Sequence, residues 1–345
     1  MSARPVALKA LAAVFALALL ASACDEEGAT EADAADPDDF TPSEPIEYIA
    51  PAGAGGGWDT LARTTGRVLE ESDLVDVNFP VENHEGGGGA VGWAHVAGQP
   101  GDDHTLFMAS PPLILVPLSG EADHDHTDFT AVSRLITDYM IYGVPEDSPI
   151  ETVEELFERA ADADDEDEFA IAGGSAPGSM DHIGLAGAAD AAGVDAAEVN
   201  YVPFSGGGEA MTAAIGGHVD AVVTGVGEST SQVEAGEIRV LATSAPEGES
   251  PIDAPALQDE GIDYTFDIWR GVMGPPDMSP EAIAFYEQMY ADMLELDEWA
   301  EERDELGWID AYLGHDEFTE FLDEQQEEFE AVLDDLGLLG EAPDS

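Results

Sequence analysis

Lysine is almost missing from this sequence. Its 345 residues carry 9 basic side chains against 76 acidic ones, a formal net charge of −67, and Lys9 is the sole lysine. Charge of that sign excludes nucleic acid as a partner, because phosphate binding needs a basic footprint. A phosphate-binding P-loop is excluded as well, since its G-x-x-x-x-G-K-[ST] pattern needs a lysine in the folded chain. Cysteine is equally scarce: Cys24 stands alone, so no internal disulfide can form. No G-x-S-x-G nucleophile elbow occurs. His124 and His126 flank Asp125 and offer two metal-ligand types, but no third stands at a readable spacing, so the stretch reads as a solvated loop. Acidic pairs are so common that they mark nothing. The sequence is therefore read as a non-enzyme with no catalytic residue, no cofactor and no metal site.

What is present begins with an apolar run over residues 10–20, flanked by Arg4 and Lys9 and followed by Ala21-Ser-Ala-Cys24. Basic flank, short apolar stretch and small residues make residues 1–23 a signal peptide, too short to span a bilayer. Small residues ending in the lone cysteine resemble a bacterial lipobox, although Ala21 stands where leucine is usual. Cys24 is the expected lipidation site, tethering the protein to the outer face of the cell membrane. Plain cleavage to a periplasmic or secreted protein is the other reading. Residues 24–44, acidic and proline-containing, read as a linker behind that anchor.

Removing residues 1–23 leaves seven arginines against 76 acids, a charge of −69. Disorder does not follow, because 44% of residues are hydrophobic and the apolar runs are periodic. The composition suits a halophile's protein, whose acidic surface stays solvated where salt screens its self-repulsion.

The length allows about two domains. Strand-like runs are expected at 46–50, 75–81, 105–109, 130–136, 140–144, 169–172, 199–202, 219–223 and 238–242. Helical segments separate them, including one at 151–163, and the tail from about 280 to 339 reads as mostly helical. Repeated strand–helix alternation predicts an α/β fold with parallel sheets covered by helices.

Four glycine clusters follow strands: Pro51-Ala-Gly-Ala-Gly-Gly-Gly-Trp-Asp-Thr-Leu-Ala-Arg63, Gly86 to Gly89, residues 173–179 and residues 204–208. Ligands of open α/β sheets bind outside the carboxyl ends of strands, where such loops converge. The first cluster reads as a turn into a helix N-terminus whose free N–H groups suit an anion; a tight turn with Asp59 as N-cap is the plain alternative. Gly87, Gly89 and Gly92 match G-x-G-x-x-G, but the next helix breaks at residues 98–100 and the next strand lacks an acidic ribose partner.

The ordered set of motifs resembles the extracytoplasmic receptors of tripartite tricarboxylate transporters, from about Ile46 to Leu338. The carriers are the opening stretch through Arg63, Glu82-Asn83 with Gly86 to Gly89 and Gly92, Gly174-Ser175, Gly178-Ser179 with His182, Val202-Pro-Phe-Ser205-Gly-Gly, Gly217-His-Val-Asp220, residues 235–242 and residues 269–276. Departures are His104, where tyrosine is commoner, and His84 and Glu237-Ile238, where lysines are frequent.

The resemblance implies a two-domain type II periplasmic-binding-protein fold with a hinged interdomain cleft. Domain 1 would be 45–143 plus 246–345 and domain 2 would be 144–245, with crossings near 142–147 and 243–248. The ligand would be a small carboxylate, a tricarboxylate such as citrate or a dicarboxylate, passed to membrane permease subunits by a monomeric receptor. A ligand-presenting partner of a membrane signalling kinase is the alternative. Gly55, Gly56 and Gly57, with Trp58 beside them, would offer backbone donors, while Asp59 caps the helix and orders water. Ser110 would donate a hydroxyl or close a turn before Pro111. Ser175, Ser179, Ser205 and Gly206 would line the second side or cap helices. His182 would face the ligand or close its own helix's first turn. Arg270 would fork onto a carboxylate or form a hinge salt bridge, with Arg63 on the first helix's outer side.

Overall fold

The computed structural model describes residues 35–72, 74–161 and 169–340. Cys24, the signal segment, most of the linker and the acidic loop 162–168 lie outside them.

Among the described residues ten strands, β1 (Glu47–Ala50), β2 (Val81–Asn83), β3 (Thr105–Ala109), β4 (Thr130–Pro145), β5 (Ala170–Gly173), β6 (Asn200–Pro203), β7 (Ala221–Gly225), β8 (Ile238–Thr243), β9 (Asp267–Gly274) and β10 (Ile309–Leu313), form one sheet. Its order is β2-β1-β3-β9-β4-β7-β5-β6, with β8 and β10 both paired to β4. Among the described residues ten helices cover it: α1 (Gly57–Glu71), α2 (Ala90–Ala97), α3 (Pro112–Leu118), α4 (Val153–Ala161), α5 (Met180–Ala191), α6 (Gly207–Ile215), α7 (Val226–Glu234), α8 (Pro280–Leu294), α9 (Asp297–Glu305) and α10 (His315–Asp335).

The sheet is mixed, where strand–helix alternation alone predicts parallel sheets. β1 runs parallel to β2 and β3, and β5 runs parallel to β6 and β7. Between these two parallel sets lie β4 and β9, antiparallel to each other and to their other neighbours. The runs at 130–136 and 140–144 are a single strand. The polar residues between them, Thr137 and Asp138, suggest a break, yet both are buried and the ladder continues through them. β4 changes partner along its length: Thr130 to Tyr139 pair with β9, and Met140 to Pro145 pair with β7 and β8.

Three smaller expectations also move. Of the run at 75–81 only Val81 enters the strand paired with β1, which continues to Asn83; Pro80, just upstream, has no N–H for a ladder. The helix expected at 151–163 is described over Val153–Ala161. The helical tail is interrupted by β10, which pairs with β4.

Large apolar side chains fill the space between sheet and helices, among them Trp93, Trp269, Trp299, Tyr286 and Phe318, all fully buried. α1 shows how its sequence docks it: Leu61, Ala62, Thr65, Val68 and Leu69 are buried along one side, the spacing of one helical face. Each buried Leu or Val contributes ~1.5–3 kcal/mol. A missing N-cap side chain costs only about 1 kcal/mol, so packing holds α1 in place with its first N–H groups left open.

Candidate functional site

A cleft of about 690 Å³ opens where the carboxyl ends of the two parallel strand sets meet. All four glycine clusters contribute to its wall, through Gly53, Gly56 and Gly57, through Gly86 to Gly89, through Gly174 and Ser175, and through Phe204, Ser205 and Gly206. That volume is typical of a small-molecule site. Three helices begin at this wall. Gly56 precedes α1, Ser179 precedes α5 and Gly206 precedes α6, and none supplies a side-chain cap bond. Ser175 Oγ takes Asp181 N–H in α5 and Glu228 Oε1 stands 3.4 Å from Gly207 N in α6; the three helix starts still turn their partial positive charge toward the cleft, an arrangement that favours an anion.

Arg270 is the fixed positive charge of this wall. It lies on β9 and is only 2% exposed. A Cβ on Gly57 would fall on its guanidinium, so glycine there is what lets the arginine lie against the start of α1. Its Nη2 stands 3.4 Å from Asp138 Oδ2 and 3.9 Å from Glu228 Oε2, while its Nε has no partner. Both contacts are long, so the guanidinium keeps donors uncommitted. Gly174 carries the second close approach: a Cβ there would meet the backbone of Gly206 and Gly207. This holds the loop after β5 against the start of α6.

The buried acids facing Arg270 are strongly perturbed. Asp138 is pushed up to about 6, mainly by burial and further by Glu228, against the pull of Arg270. Asp181, in the first turn of α5, is pushed up to about 8 by burial, with Glu228 adding to the rise, despite the bond from Gly174 N–H at 2.6 Å. At neutral pH Asp181 is thus mostly protonated, and its other oxygen, Oδ1, is buried without a partner. A neutral carboxyl can donate a hydrogen bond where a carboxylate would repel an anion.

Nine of the residues singled out in the sequence line the cleft: Gly56, Gly57, Trp58, Ser110, Ser175, Ser179, Ser205, Gly206 and Arg270. Gly55, Asp59 and His182 are not part of its lining. Asp59 is buried and faces away, taking Gly55 N–H at 2.8 Å, Asn83 Nδ2 at 2.8 Å and Arg63 Nη2 at 2.8 Å. Burial alone would raise its pKa; the bonds from Arg63, Gly55 and Asn83 and the arginine's charge outweigh that and hold it low. Asp59 is thus the pin that shapes the first loop. His182 accepts from Gly178 N–H at 2.9 Å through Nδ1 and stacks on Tyr201 at 4.8 Å. Burial lowers its pKa, and its role is to close the loop before α5.

The serines divide by role. Ser175 Oγ accepts from Asp181 N–H at 2.9 Å, an N-terminal cap for α5. Ser179 Oγ is buried without a partner, and Ser205 is exposed at the rim.

Sequence reasoning missed Asp138, Asp181 and Glu228. A signal existed for Asp138, the one acid in the stretch 130–145. Glu228 carries none, because its chain neighbours are ordinary for a surface helix. His124 and His126 do not meet on one ligand: His124 bonds Asp128 at 3.0 Å and His126 bonds Asp323 at 3.2 Å. His126 is buried rather than part of a solvated loop.

A family model described as "Tripartite tricarboxylate transporter family receptor" matches residues 72–338. A TctC solute-binding protein from Polaromonas is 27% identical, with a TM-score of 0.62, and the match covers 86% of this chain and 100% of that one. A Rhodopseudomonas palustris protein solved with adipate is 23% identical, with a TM-score of 0.79 over 87% of this chain and 99% of that one. Another, MatC from the same organism, solved with bound malate, is 21% identical, with a TM-score of 0.74 over 85% and 99%. These likenesses show the two-domain fold of periplasmic solute-binding proteins.

Proposed function

The chain belongs to the tripartite tricarboxylate transporter receptor family, and from that membership we propose that it captures a small carboxylate outside the cytoplasm and delivers it to the permease subunits of such a transporter. The observation that carries this reading is the convergence of three helix N-termini and the buried Arg270 on one cleft. Similar receptors solved with malate and with adipate suggest a ligand with two carboxylates, one at α1 and Arg270 and the other at α5 and α6. Citrate-sized acids also fit a cleft of about 690 Å³. In this reading the molecule works as a monomer with two lobes, residues 45–143 with 246–345 and residues 144–245, that close on the ligand. Cys24 carries the lipid anchor, and intact mass of the membrane-associated protein checks it; an unacylated mature N-terminus would refute the anchor alone.

The binding claim is tested by thermal melts in molar KCl against mono-, di- and tricarboxylates. A ligand at 100 times its dissociation constant adds about 2.7 kcal/mol of stability, a readily measured shift. Selective stabilisation by one di- or tricarboxylate is the expected result. Folded protein that responds to no carboxylate would remove this ligand class.

A further inference from the structure

Outside the cleft, three side chains of metal-ligating type meet on one spot of the surface. Glu47 opens β1, His84 follows β2 and His95 lies in the last turn of α2. Glu47 Oε1 lies 2.9 Å from His95 Nε2, and the His84 and His95 rings stand 4.4 Å apart, tilted by 41°. One ligand atom from each of the three can be chosen so that all lie within 4.8 Å of one another. Glu82 adds a further carboxylate 3.7 Å from His84 Nε2. Side-chain exposure of 31% for Glu47, 21% for His84 and 36% for His95 leaves the spot open to ions.

The surroundings of His95 Nε2 suit a cation as well as a proton. Its Nε2 faces Glu47 Oε1 at 2.9 Å and the side-chain amide nitrogen of Gln99, also at 2.9 Å. A protonated Nε2 serves both where Gln99 presents its Oε1, and a bare Nε2 lone pair beside the carboxylate is what a cation takes. Thr105 Oγ1 lies 2.9 Å from the Gln99 side-chain amide, 3.1 Å from Asp102 Oδ2 and 3.3 Å from Glu47 Oε2, and its single hydrogen serves one of the three. A cation on the Nε2 lone pair draws in the Glu47 oxygen without any proton between them, and leaves the partly exposed Gln99 amide to water.

We propose that Glu47, His84 and His95 form a binding site for one divalent transition metal of the zinc class. Two imidazoles and one carboxylate are a donor set that zinc accepts, with water completing a tetrahedron. Zn–N distances of about 2.0–2.1 Å place tetrahedral ligand atoms about 3.4 Å apart, so the three side chains close inward by side-chain rotation alone. The imidazoles set this spot apart from the rest of the acidic surface, which suits hard, oxygen-seeking cations. A bound ion would tie edge strand β2 to β1 and α2, directly behind Glu85 and the glycines that line the cleft.

The test is a calorimetric titration of Zn²⁺ into the chelator-stripped full chain in molar KCl, with X-ray absorption at the zinc edge. One Zn²⁺ per chain with two imidazole ligands is expected, and His84→Ala or His95→Ala should weaken binding by roughly tenfold or more. Glu47→Gln, which preserves shape, should weaken it as well, and circular dichroism checks that each variant is folded. A zinc isotherm unchanged in the double variant H84A/H95A, or a spectrum of oxygen ligands only, would overturn the site and assign the binding to the acidic surface.

Discussion

Asp181 makes the clearest statement at the scale of a residue. Its folded-state pKa, pushed up to about 8 by burial, lies above the ordinary 3.8. The native state therefore holds this proton more tightly than the unfolded chain does. Its contribution to stability is fully present below about pH 4 and is lost as pH rises from there through about pH 8. Asp138, raised to about 6, acts in the same direction over a narrower window. Asp181→Asn keeps an acceptor for Gly174 N–H and cannot ionise, so denaturant midpoints measured from acid to mildly alkaline pH should flatten, with the variant the more stable near pH 8. Parallel profiles for variant and wild type would show that Asp181 does not carry the slope. Gly57→Ala acts through space: its methyl lands on the Arg270 guanidinium. Overpacking of this kind costs roughly 1–3 kcal/mol, and a thermal melt together with a carboxylate titration should show both lower stability and weaker binding.

Elements matter most where β4 passes from one half of the sheet to the other. Ser244, just after β8, is fully buried there; its hydroxyl accepts Met140 N–H at 2.9 Å and donates to the Phe266 carbonyl at 2.7 Å. One side chain thereby satisfies main-chain groups of β4 and of the segment entering β9. Ser244→Ala leaves both groups buried and unpaired, at a cost of about 1–3 kcal/mol seen as a lower denaturation midpoint. An unchanged midpoint would mean that water takes over both bonds. The scarce cations do similar bridging work. Arg239 on β8 donates to the carbonyls of Ile150 at 2.8 Å and Ser148 at 2.9 Å, and Arg134 on β4 donates to Ala311 at 2.7 Å and lies 4.5 Å from the Phe321 ring centre.

The whole molecule carries a formal charge of −67, which would repel the anion that its cleft is shaped to hold. Screening decides between the two effects. At about 0.15 M salt the Debye length is about 8 Å, and at about 1 M it is about 3 Å. Long-range repulsion then fades, while donors in contact with the ligand are scarcely screened. Melting temperature should rise with KCl, and carboxylate affinity should hold or rise from low to molar salt. A steep loss of affinity on adding salt to folded protein would mean that long-range attraction, not local donors, governs binding.

The sequence by itself determined the alternation of strands and helices, the family pattern and the four loops that meet at the cleft. These follow from local rules: side-chain periodicity, the conformational freedom of glycine and its position after strands. Arg270 was legible for the same reason, as a lone cation within an apolar strand. Only the tertiary structure decided that residues 130–145 form one strand, because Asp138 is tolerated there through Arg270, 132 positions away in the chain. It also turned Asp59 and His182 away from the cleft and brought Asp181 and Glu228 into it. The zinc-class cluster arose in the same way, from Glu47, His84 and His95 on three separate elements. Burial and long-range proximity are properties of the packed chain, and no spacing along the sequence encodes them.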